Sequence, residues 1–303
     1  MNESGATCIG IDWGTSNRRA YVLNAHGALV AQHTDEAGIL HVERDFEGSL
    51  QRLLQSLKVD RADVVMSGMV GSRNGWQEVP YLPVDQPISG LHDALVEIDM
   101  TLPGVRCRIV PGYRFIDTHG MPDVMRGEET QVLGALQLSA VDGWFLLPGT
   151  HSKWVLIESG KIADLVTFMT GELFSLMSQH GTLARVMSED RSVPNAFAAG
   201  VRASRHGGFT HTAFCCRALV VTDKMPAEHT SSFLSGLLIG TELHEILRKA
   251  GDDIRSPVQV IGSPSLAARY LSALELVGIQ ACAWQPDSVY VAALKALFNI
   301  KAA

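Results

Sequence analysis

Long apolar runs and basic stretches are both missing from this sequence. No uninterrupted apolar run approaches the ~20 residues that a membrane-spanning helix requires, and the opening MNESGATCIG has neither the basic nor the long apolar segment of a signal peptide. The net charge of −7 comes without a Lys/Arg-rich stretch, which argues against nucleic acid and anionic membranes as partners. We therefore expect a cytoplasmic protein that binds a small molecule.

Cysteine is scarce, and its spacing excludes two common structural uses. The 5 cysteines form no C-x-x-C pair and have no histidine at metal-ligand spacing, so neither a disulfide framework nor a zinc site is expected. We expect reduced thiols that serve as small core residues. The residues concerned are Cys8, Cys107, Cys215, Cys216 and Cys282.

Two common nucleotide-binding motifs are also absent. The sequence has no G-x-x-x-x-G-K-[ST] loop and no G-x-G-x-x-G turn leading from a strand into a helix. Instead, the turn GTSN at 14–17 leads from a predicted strand at 7–13 directly into a second one at 18–23, and a third follows at 28–34. This pattern predicts an antiparallel meander.

The remaining pattern is that of an α/β protein with a restart near its middle. Helical periodicity over 46–57 is followed by short apolar strands at 62–68 and 107–112, and then by a predicted helix over 126–140. From residue 143, strand, turn and strand recur as at the start of the chain. Since 303 residues exceed the usual size of a single core, two domains are expected.

The segments that begin near residues 7 and 143 align without a gap, which indicates two related halves. Both copies read apolar–Gly–Thr–x–polar–basic, although two unrelated hairpins that each need a glycine would give the same pattern. The aligned residues are Ile11, Gly14, Thr15, Asn17, Arg18 and Val22 with Leu146, Gly149, Thr150, Ser152, Lys153 and Ile157.

A glycine turn with hydroxyl groups is suited to binding phosphate. Glycine allows close approach of the backbone, while hydroxyl and main-chain N–H groups can surround an anion. Two such turns could hold the phosphates of one nucleotide from two sides. Asp12, at the end of the first strand, is placed to hold a hydrated Mg²⁺, which favours one or two carboxylates plus phosphate oxygens.

At this point the motifs resemble a known superfamily. IDWGTSNRRAYVL is similar to the first phosphate motif of the actin-like sugar kinases, LLPGTHSKWVLI to the second, and VQVIGSPSLAARYL to the adenosine motif. A closer resemblance, to the 2-dehydro-3-deoxygalactonokinase family, covers MSGMVGSRNGWQEVPYLP, MRGEETQVLG, PGTHSKW and TGELFSLMSQHGTL.

The resemblance implies an α/β fold of two ribonuclease-H-like (actin-like ATPase) domains with an ATP cleft between them. The N-terminal lobe, 1–138, would hold the first phosphate motif and the sugar-acid site. The C-terminal lobe, 139–303, would hold the second phosphate motif and the adenosine motif, with the last helix packing back on the first lobe. The sequence is compatible with a homodimer and leaves the oligomeric state open.

The resemblance assigns the nucleotide contacts and the metal. Asp12 would organise Mg²⁺, and Arg19 would lie beside the transferred phosphoryl group, although a solvated strand arginine is equally compatible with that position. Ser263 and Pro264 replace the paired glycines that are usual in the adenosine motif. The implied ATP and phosphate contacts are Gly14, Thr15, Ser16, Asn17, Gly149, Thr150, Ser152, Lys153, Gly262, Ser263 and Pro264.

Phosphoryl transfer also needs a carboxylate to accept the proton of the attacking hydroxyl. Related kinases carry it in a Gly-Asp-Gln segment that opens a helix before the second phosphate motif, and RGEETQVLG occupies that place here. We expect Glu128 to be the base, with Glu129 as second choice. Two glutamates in a first helical turn would also complement the helix dipole without any catalytic role.

A 2-oxo-3-deoxy sugar acid presents a carboxylate, a keto oxygen and several hydroxyls. An aromatic wall with hydroxyl groups suits a polyol, and arginine suits a carboxylate. Arg73, Arg114 and Arg126 all qualify for the carboxylate, and Trp76 is equally compatible with a core position. The expected substrate contacts are Ser67, Met69, Ser72, Arg73, Trp76, Glu78, Tyr81 and Arg126.

The expected activity is the ATP- and Mg²⁺-dependent phosphorylation of 2-dehydro-3-deoxy-D-galactonate to its 6-phosphate, a step of galactonate breakdown. This substrate comes from the resemblance alone. The alternatives are a kinase of another sugar or sugar acid, and a non-enzymatic actin-like nucleotide switch that uses ATP for conformational change.

Overall fold

The computed structural model describes residues 7–188, 192–251, 254 and 256–300. Residues 1–6, which belong to the opening segment that lacks signal-peptide features, are not among these described residues. By contacts the chain divides into two compact units. Unit 1 comprises the described residues of Met1–Asp142, Ile157–Leu165 and Pro286–Ala303, and unit 2 those of Gly143–Leu156 and Val166–Gln285.

Strands and helices follow one another along the whole chain. The strands are β1 (Thr7–Trp13), β2 (Arg18–Leu23), β3 (Leu29–Asp35), β4 (Ala62–Gly68), β5 (Leu82–Pro83), β6 (Val96–Ile98), β7 (Val105–Ile109), β8 (Tyr113–Ile116), β9 (Pro122–Met125), β10 (Gly143–Leu147), β11 (Ser152–Glu158), β12 (Lys161–Phe168), β13 (Val258–Ile261) and β14 (Ala281–Trp284). The α-helices are α1 (Phe46–Ser56), α2 (Glu128–Gln137), α3 (Thr170–Gln179), α4 (Gly181–Ala184), α5 (Pro194–Ala203), α6 (Phe209–Val221), α7 (Thr230–Ala250), α8 (Pro264–Leu276) and α9 (Pro286–Leu297). Short 3₁₀ turns occupy Met69–Gly71, Ile88–His92 and Ala227–His229.

The two large sheets have corresponding strand orders over five positions. The first runs β3-β2-β1-β4-β7-β6, and the second runs β12-β11-β10-β13-β14. In the first, β1 pairs antiparallel with β2 and parallel with β4, and in the second β10 pairs parallel with β13. The predicted meander of β1, β2 and β3 is confirmed, and the matching order is what the predicted internal repeat requires. A small third sheet has the order β5-β8-β9.

Strand β1 packs against a helix on each face. Successive side chains of a strand point to opposite faces. Ile9, Ile11 and Trp13 accordingly belong to the core cluster that includes α1, whereas Cys8 packs with residues of α9. A Cβ atom at Gly10 would come within 2.1 Å of the Leu294 side chain, so glycine allows α9 to lie directly on the strand. Asp12 follows on the same face as Cys8 and Gly10.

The last helix, α9, also packs on α2 within unit 1. A Cβ atom at Gly134 of α2 would lie 1.9 Å from the carbonyl oxygen of Val289, so the two helix backbones are in direct contact. This contact explains why 286–303 is counted with unit 1. The sequence predicts a domain boundary at 138/139. The contacts instead divide the chain at Asp142/Gly143 and also place the segment 157–165 in unit 1.

Unit 2 is built around the long helix α7, most of whose first half is buried. Helix α5 crosses it at glycine contacts, since a Cβ atom at Gly236 would lie 2.0 Å from the carbonyl oxygen of Phe197. Gly200 of α5 makes the reciprocal contact with Phe233. This close packing fixes the polar residues of α7 relative to the sheet.

All five cysteines are free thiols, as expected. Cys8, Cys107 and Cys216 are buried. Cys215 is half-buried, and Cys282 is exposed, contrary to the expected core role. Cys282 differs because β14 is the edge strand of its sheet. Among the residues described, no helix combines the length and apolar character needed to cross a membrane.

We expect Gly134→Ala to lower the free energy of unfolding by about 1–3 kcal/mol, because the new methyl group meets backbone that cannot move aside. This loss outweighs the gain of roughly 1 kcal/mol in helix propensity. Urea denaturation measures it. The control is Gly90→Ala, whose new Cβ would meet only a Pro87 side-chain atom at 3.9 Å. Equal stability of the two variants would contradict the proposed α2–α9 contact.

Candidate active site

The turn predicted to bind phosphate in unit 1, residues 14–17, is called the first phosphate turn. It connects β1 and β2, and residues 38–40 pack behind it. The Gly14 N–H donates to the Asn17 carbonyl oxygen at 3.0 Å, and the N–H groups of 38–40 donate to the carbonyl oxygens of 14–16. A Cβ atom at Gly38 would lie 2.3 Å from the backbone of Ser16, so only glycine fits there. The carbonyl groups are thereby used within the fold, while the side chains of Thr15, Ser16 and Asn17 are exposed.

The corresponding predicted turn of unit 2, residues 148–151, is called the second phosphate turn. It connects β10 and β11 and is supported in a similar way. A Cβ atom at Gly171 would lie 2.3 Å from the Gly149 carbonyl oxygen, and the Glu172 N–H donates to the Thr150 carbonyl oxygen at 2.9 Å. Thr150 is exposed. His151, at the tip of the turn, lies 2.6 Å from the Glu172 carboxylate, measured from Nε2.

The residues that end the second motif point into unit 2 rather than to solvent. The Ser152 hydroxyl is fully buried and donates to Glu242, and the Lys153 ammonium is buried and donates to Thr167. Arg18, the residue aligned with Lys153, is likewise buried and forms an ion pair with Asp35. These contacts differ from the phosphate contacts expected for the Ser152 and Lys153 side chains, because both begin a buried strand.

Asp12 and Arg19 lie together beside the first turn. Arg19 Nη1 is 3.9 Å from Asp12 Oδ2, and both side chains are partly accessible. Burial raises the pKa of Asp12, and Arg19 offsets only part of that effect. Burial acts to lower the pKa of Arg19, but Asp12, Tyr21 and Asp287 together raise it.

Helix α9 adds polar contacts near Asp12 and Arg19. Tyr21 donates to Asp287 at 2.8 Å, and the Tyr290 hydroxyl lies 2.8 Å from the hydroxyl of Ser67. Ser67 is the partner of Asp12 in the β1–β4 register. Both tyrosines are buried, and their rings pack 4.8 Å apart.

The predicted base segment lies next to the end of β4. A Cβ atom at Gly68 would come 3.4 Å from Asp12 Oδ1, and one at Gly127 would come 3.2 Å from the Gly68 Cα. Asp12 and the start of α2 therefore both lie next to Gly68. Glu128 is half-buried and accepts from the Arg126 N–H at 2.9 Å.

Glu129 is fully enclosed. Its carboxylate accepts from the Gly127 N–H at 2.7 Å and from the Thr130 hydroxyl at 3.2 Å. Burial, with the neighbouring charge of Glu128, raises the pKa of Glu129 to about 7. Burial disfavours the charged form of a carboxyl group, which accounts for the direction of this shift.

Among the three candidate arginines, Arg126 differs from the others in being buried. Its Nη2 donates to the Val79 carbonyl oxygen at 2.7 Å, and its guanidinium lies 4.2 Å from the centre of the Tyr81 ring. The Nε and Nη1 atoms of this buried group have no hydrogen-bond partner among the described residues. Arg73 and Arg114 are exposed.

The other predicted substrate residues are distributed between core and surface. Trp76 is half-buried and stacks on Phe46, with the ring centres 6.0 Å apart, so at least one face serves the core. Ser67 is buried and bonded to Tyr290. Ser72 donates to the Met69 carbonyl oxygen, which folds both residues into a local turn. Glu78 is exposed.

The adenosine motif ends β13 and begins α8. Gly262 is half-buried, Ser263 and Pro264 are exposed, and Ser263 is the N-cap of α8. A Cβ atom at Gly262 would come 2.9 Å from the Pro148 ring, so glycine allows β13 to approach the second phosphate turn. A cavity of about 70 Å³ near this motif is lined by Gly149, Thr170, Gly171, Phe174, Ser235, Leu238, Ile239, Leu266, Arg269 and Tyr270.

Three polar residues that contact the motif residues could not be identified from the sequence: Glu242, Asp287 and Tyr290. Each lies in a helix far along the chain from the motif it contacts, and none has a local pattern that marks it. A glutamate on the apolar side of α7 was a detectable irregularity, because charged residues are rarely buried without partners.

The carboxylate beside the first phosphate turn can be compared with the needs of Mg²⁺. Within the described ranges, no group of three or more His, Cys, Asp or Glu side chains could hold a metal ion. Asp12 is a single accessible carboxylate beside the phosphate turn. Since Mg²⁺ is usually bound by one or two carboxylates together with phosphates and water, Asp12 fits that use.

Comparison with known proteins identifies the family. The sequence model of the 2-keto-3-deoxy-galactonokinase family matches residues 12–297. The chain belongs to this family. A 2-dehydro-3-deoxygalactonokinase from Escherichia coli (strain K12) is 33% identical over 296 residues, which cover 96% of this chain and 97% of the relative. The family predicted from the motifs is therefore confirmed, and with it the class of alcohol-phosphorylating kinases.

Solved structures agree with the α/β fold. A crystal structure from Sinorhizobium meliloti, provisionally assigned to the same kinase, has a TM-score of 0.87 and 32% identity over 96% of this chain and 95% of its own. The activator of 2-hydroxyisocaproyl-CoA dehydratase from Clostridium difficile, solved with bound ADPNP, has a TM-score of 0.50 at 9% identity and covers 97% of this chain and 95% of its own. The second likeness shows a shared fold alone.

We expect the stability of the protein to depend on pH through Glu129. Its folded pKa of about 7 lies above the ordinary value of 4.5. Between these values the unfolded chain loses this proton before the folded protein does, so the contribution of Glu129 to stability falls as pH rises. The expected loss, relative to Glu129→Gln, is roughly 3 kcal/mol from pH 4 to pH 8.

Urea denaturation of the wild type and Glu129→Gln at several pH values measures this difference. The exposed Glu158→Gln variant serves as control and should follow the wild type. A constant difference between the wild type and Glu129→Gln across this range would show that the Glu129 carboxyl is not perturbed in the folded protein.

Proposed function

We propose that this protein transfers the γ-phosphoryl group of ATP to the terminal hydroxyl of 2-dehydro-3-deoxy-D-galactonate and forms the 6-phosphate. The observation that carries the proposal is the family match over 12–297, which includes every candidate site residue from Asp12 to Pro264. The E. coli relative carries this substrate in its name. The reaction consumes one ATP and releases ADP, while the hydroxyl proton passes to a base.

We propose that one ATP uses the phosphate turns of both units, each of which would have a ribonuclease-H-like fold. The matching order of the two large sheets supports this. The exposed hydroxyls of Thr15, Ser16 and Thr150, together with turn N–H groups, would contact the phosphates. The Ser152 and Lys153 side chains would support the second turn from inside unit 2. The adenosine would lie against 262–264.

Asp12 would hold Mg²⁺ through water or directly. When bound, the ion would neutralise charge on the phosphates and help to align the transferred group. Arg19 is the nearest cation to Asp12 on β2, and its accessible guanidinium would stabilise the negative charge on the transferred phosphoryl oxygens.

Glu128 is our choice for the base. A general base must reach the proton that it accepts, so accessibility is considered before pKa. Glu128 is half-buried, whereas Glu129 is completely enclosed. Glu129 would instead fix the start of α2 through its bond to the Gly127 N–H.

Arg126 would bind the carboxylate of the sugar acid. A buried guanidinium with two unpartnered nitrogen atoms favours an incoming anion, because buried donors without acceptors are costly. A planar fork of N–H groups also matches the two oxygens of a carboxylate. Tyr81, packed on this guanidinium, would keep its plane fixed.

The assignment of the substrate is tested by coupled measurement of ADP release with a panel of 2-oxo-3-deoxy acids and common hexoses. We expect 2-dehydro-3-deoxy-D-galactonate to raise ADP release by roughly 10²-fold or more over ATP alone. Mass spectrometry and ³¹P NMR should identify the product as the 6-phosphate. A higher kcat/KM for another acid would move the assignment to a different sugar-acid kinase. Release of ADP that no sugar stimulates would contradict kinase activity.

Replacement of the base gives a second test. Glu128→Gln keeps the shape of the side chain but removes the proton acceptor, so we expect kcat to fall roughly 10²- to 10⁴-fold with little change in the KM for ATP. Glu129→Gln should cost much less at neutral pH. If Glu129→Gln shows the large loss and Glu128→Gln keeps more than about a tenth of the rate, the base is Glu129.

A further inference from the structure

Glu242 is a fully buried carboxylate in the middle of α7. Four donors surround it: Ser152 and Trp154 donate to Oε1, each at 2.7 Å, and Thr170 and Tyr270 donate to Oε2. An ionised carboxylate offers about four lone-pair sites, so its accepting capacity is filled. The indole N–H of Trp154 is a donor only, which requires an acceptor at Oε1.

The partners of Glu242 come from the segments that form the candidate nucleotide site of unit 2. Ser152 directly follows the second phosphate turn. Thr170 begins α3, whose next two residues, Gly171 and Glu172, contact that turn. Tyr270 lies in α8, the helix that starts in the adenosine motif. One carboxylate thus joins both motifs to the central helix.

The cavity near the adenosine motif connects the network to the site. Thr170 and Tyr270 line this cavity together with Gly149. The two side chains that Glu242 holds through Oε2 are therefore part of the cavity wall. Thr170 thus connects Glu242 to the cavity from the start of α3, and Tyr270 does so from α8.

A contribution to folding stability does not by itself explain why a carboxylate is buried at position 242. Burial of a charged carboxylate opposes folding, and an apolar residue of similar size is often as stabilising. Burial raises the pKa of Glu242, while the hydrogen bonds from Thr170, Ser152, Trp154 and Tyr270 oppose that shift. What the network supplies is a fixed orientation of the segments that it joins, because several directed bonds converge on one group.

We propose that Glu242 is a positioning residue for the nucleotide, which holds the second phosphate turn, the start of α3 and helix α8 in the arrangement that binds ATP. This inference rests on the proposed use of the second phosphate turn for ATP. Glu242 itself does not contact the reacting groups, and it acts through Ser152, Thr170 and Tyr270.

The test compares Glu242→Gln with Leu243→Ala, a control on the same helix. Leu243 is fully buried in the apolar core of unit 2 and forms none of these polar contacts. Both variants are expected to lower Tm. Only Glu242→Gln should raise the KM for ATP and the Kd of a fluorescent ATP analogue, by roughly tenfold, since its amide nitrogen cannot accept from the donors now held by Oε2. The KM for the sugar acid should stay within about twofold for both variants.

A second variant and a wild-type measurement complete the test. Tyr270→Phe removes a single donor oxygen and should raise the KM for ATP in the same direction by a smaller factor, so it replaces Glu242→Gln if that variant does not fold. An unchanged KM for ATP in the folded variants, or an equal rise in Leu243→Ala, overturns the positioning role. Absence of sugar-dependent ADP release in the wild type would instead contradict the proposed function, and the ATP-analogue Kd would still report on Glu242.

Discussion

The candidate site residues of unit 1 depend on the direct contact of α9 with β1 and α2. Gly10 and Gly134 remove the side chains that would separate these elements, and Leu294 and the Val289 backbone occupy the space. The contact brings Tyr290 to Ser67 and Asp287 to Tyr21. Because these residues adjoin Asp12 and Arg19, the polar corner at the end of β1 is completed by a helix from the far end of the chain. The absence of a side chain at these two glycines thus allows α9 to make both polar contacts.

The two phosphate turns follow one construction rule. In each, a following segment with a tightly packed glycine donates backbone N–H groups to the turn: residues 38–40 donate three in unit 1, and Glu172, after Gly171, donates one in unit 2. The carbonyl oxygens, which would repel a phosphate, are thereby turned into the fold, and hydroxyl groups remain outside. The supporting segment is a loop in unit 1 and the start of α3 in unit 2, so similar turns are stabilised by different elements.

Local features of this fold were predictable from the sequence, and contacts between distant segments were not. The meander of β1, β2 and β3, the helix α1 and the repeat at Gly149 follow from alternation, helical period and turn residues, all of which act over a few positions. Lys153 was expected at a phosphate because the aligned motif shows its charge but not its direction. The structure buries it, and its ammonium donates to Thr167 on the neighbouring strand β12. Glu242 could not be assigned, because its partners lie 28 to 90 residues away.

The position of α9 has a consequence for how the protein is made. The Tyr21–Asp287 and Ser67–Tyr290 bonds join residues that are 266 and 223 positions apart. During synthesis, β1 through α2 leave the ribosome long before α9 exists, so the surface around Gly10 and Gly134 has no cover until translation ends. Contacts of such sequence separation form late because the loop that they close is long. Unit 1 therefore reaches its final form only after all of unit 2 has been translated, and a nascent chain released early would lack the contacts of α9 with Tyr21 and Ser67 however well its first strands had folded.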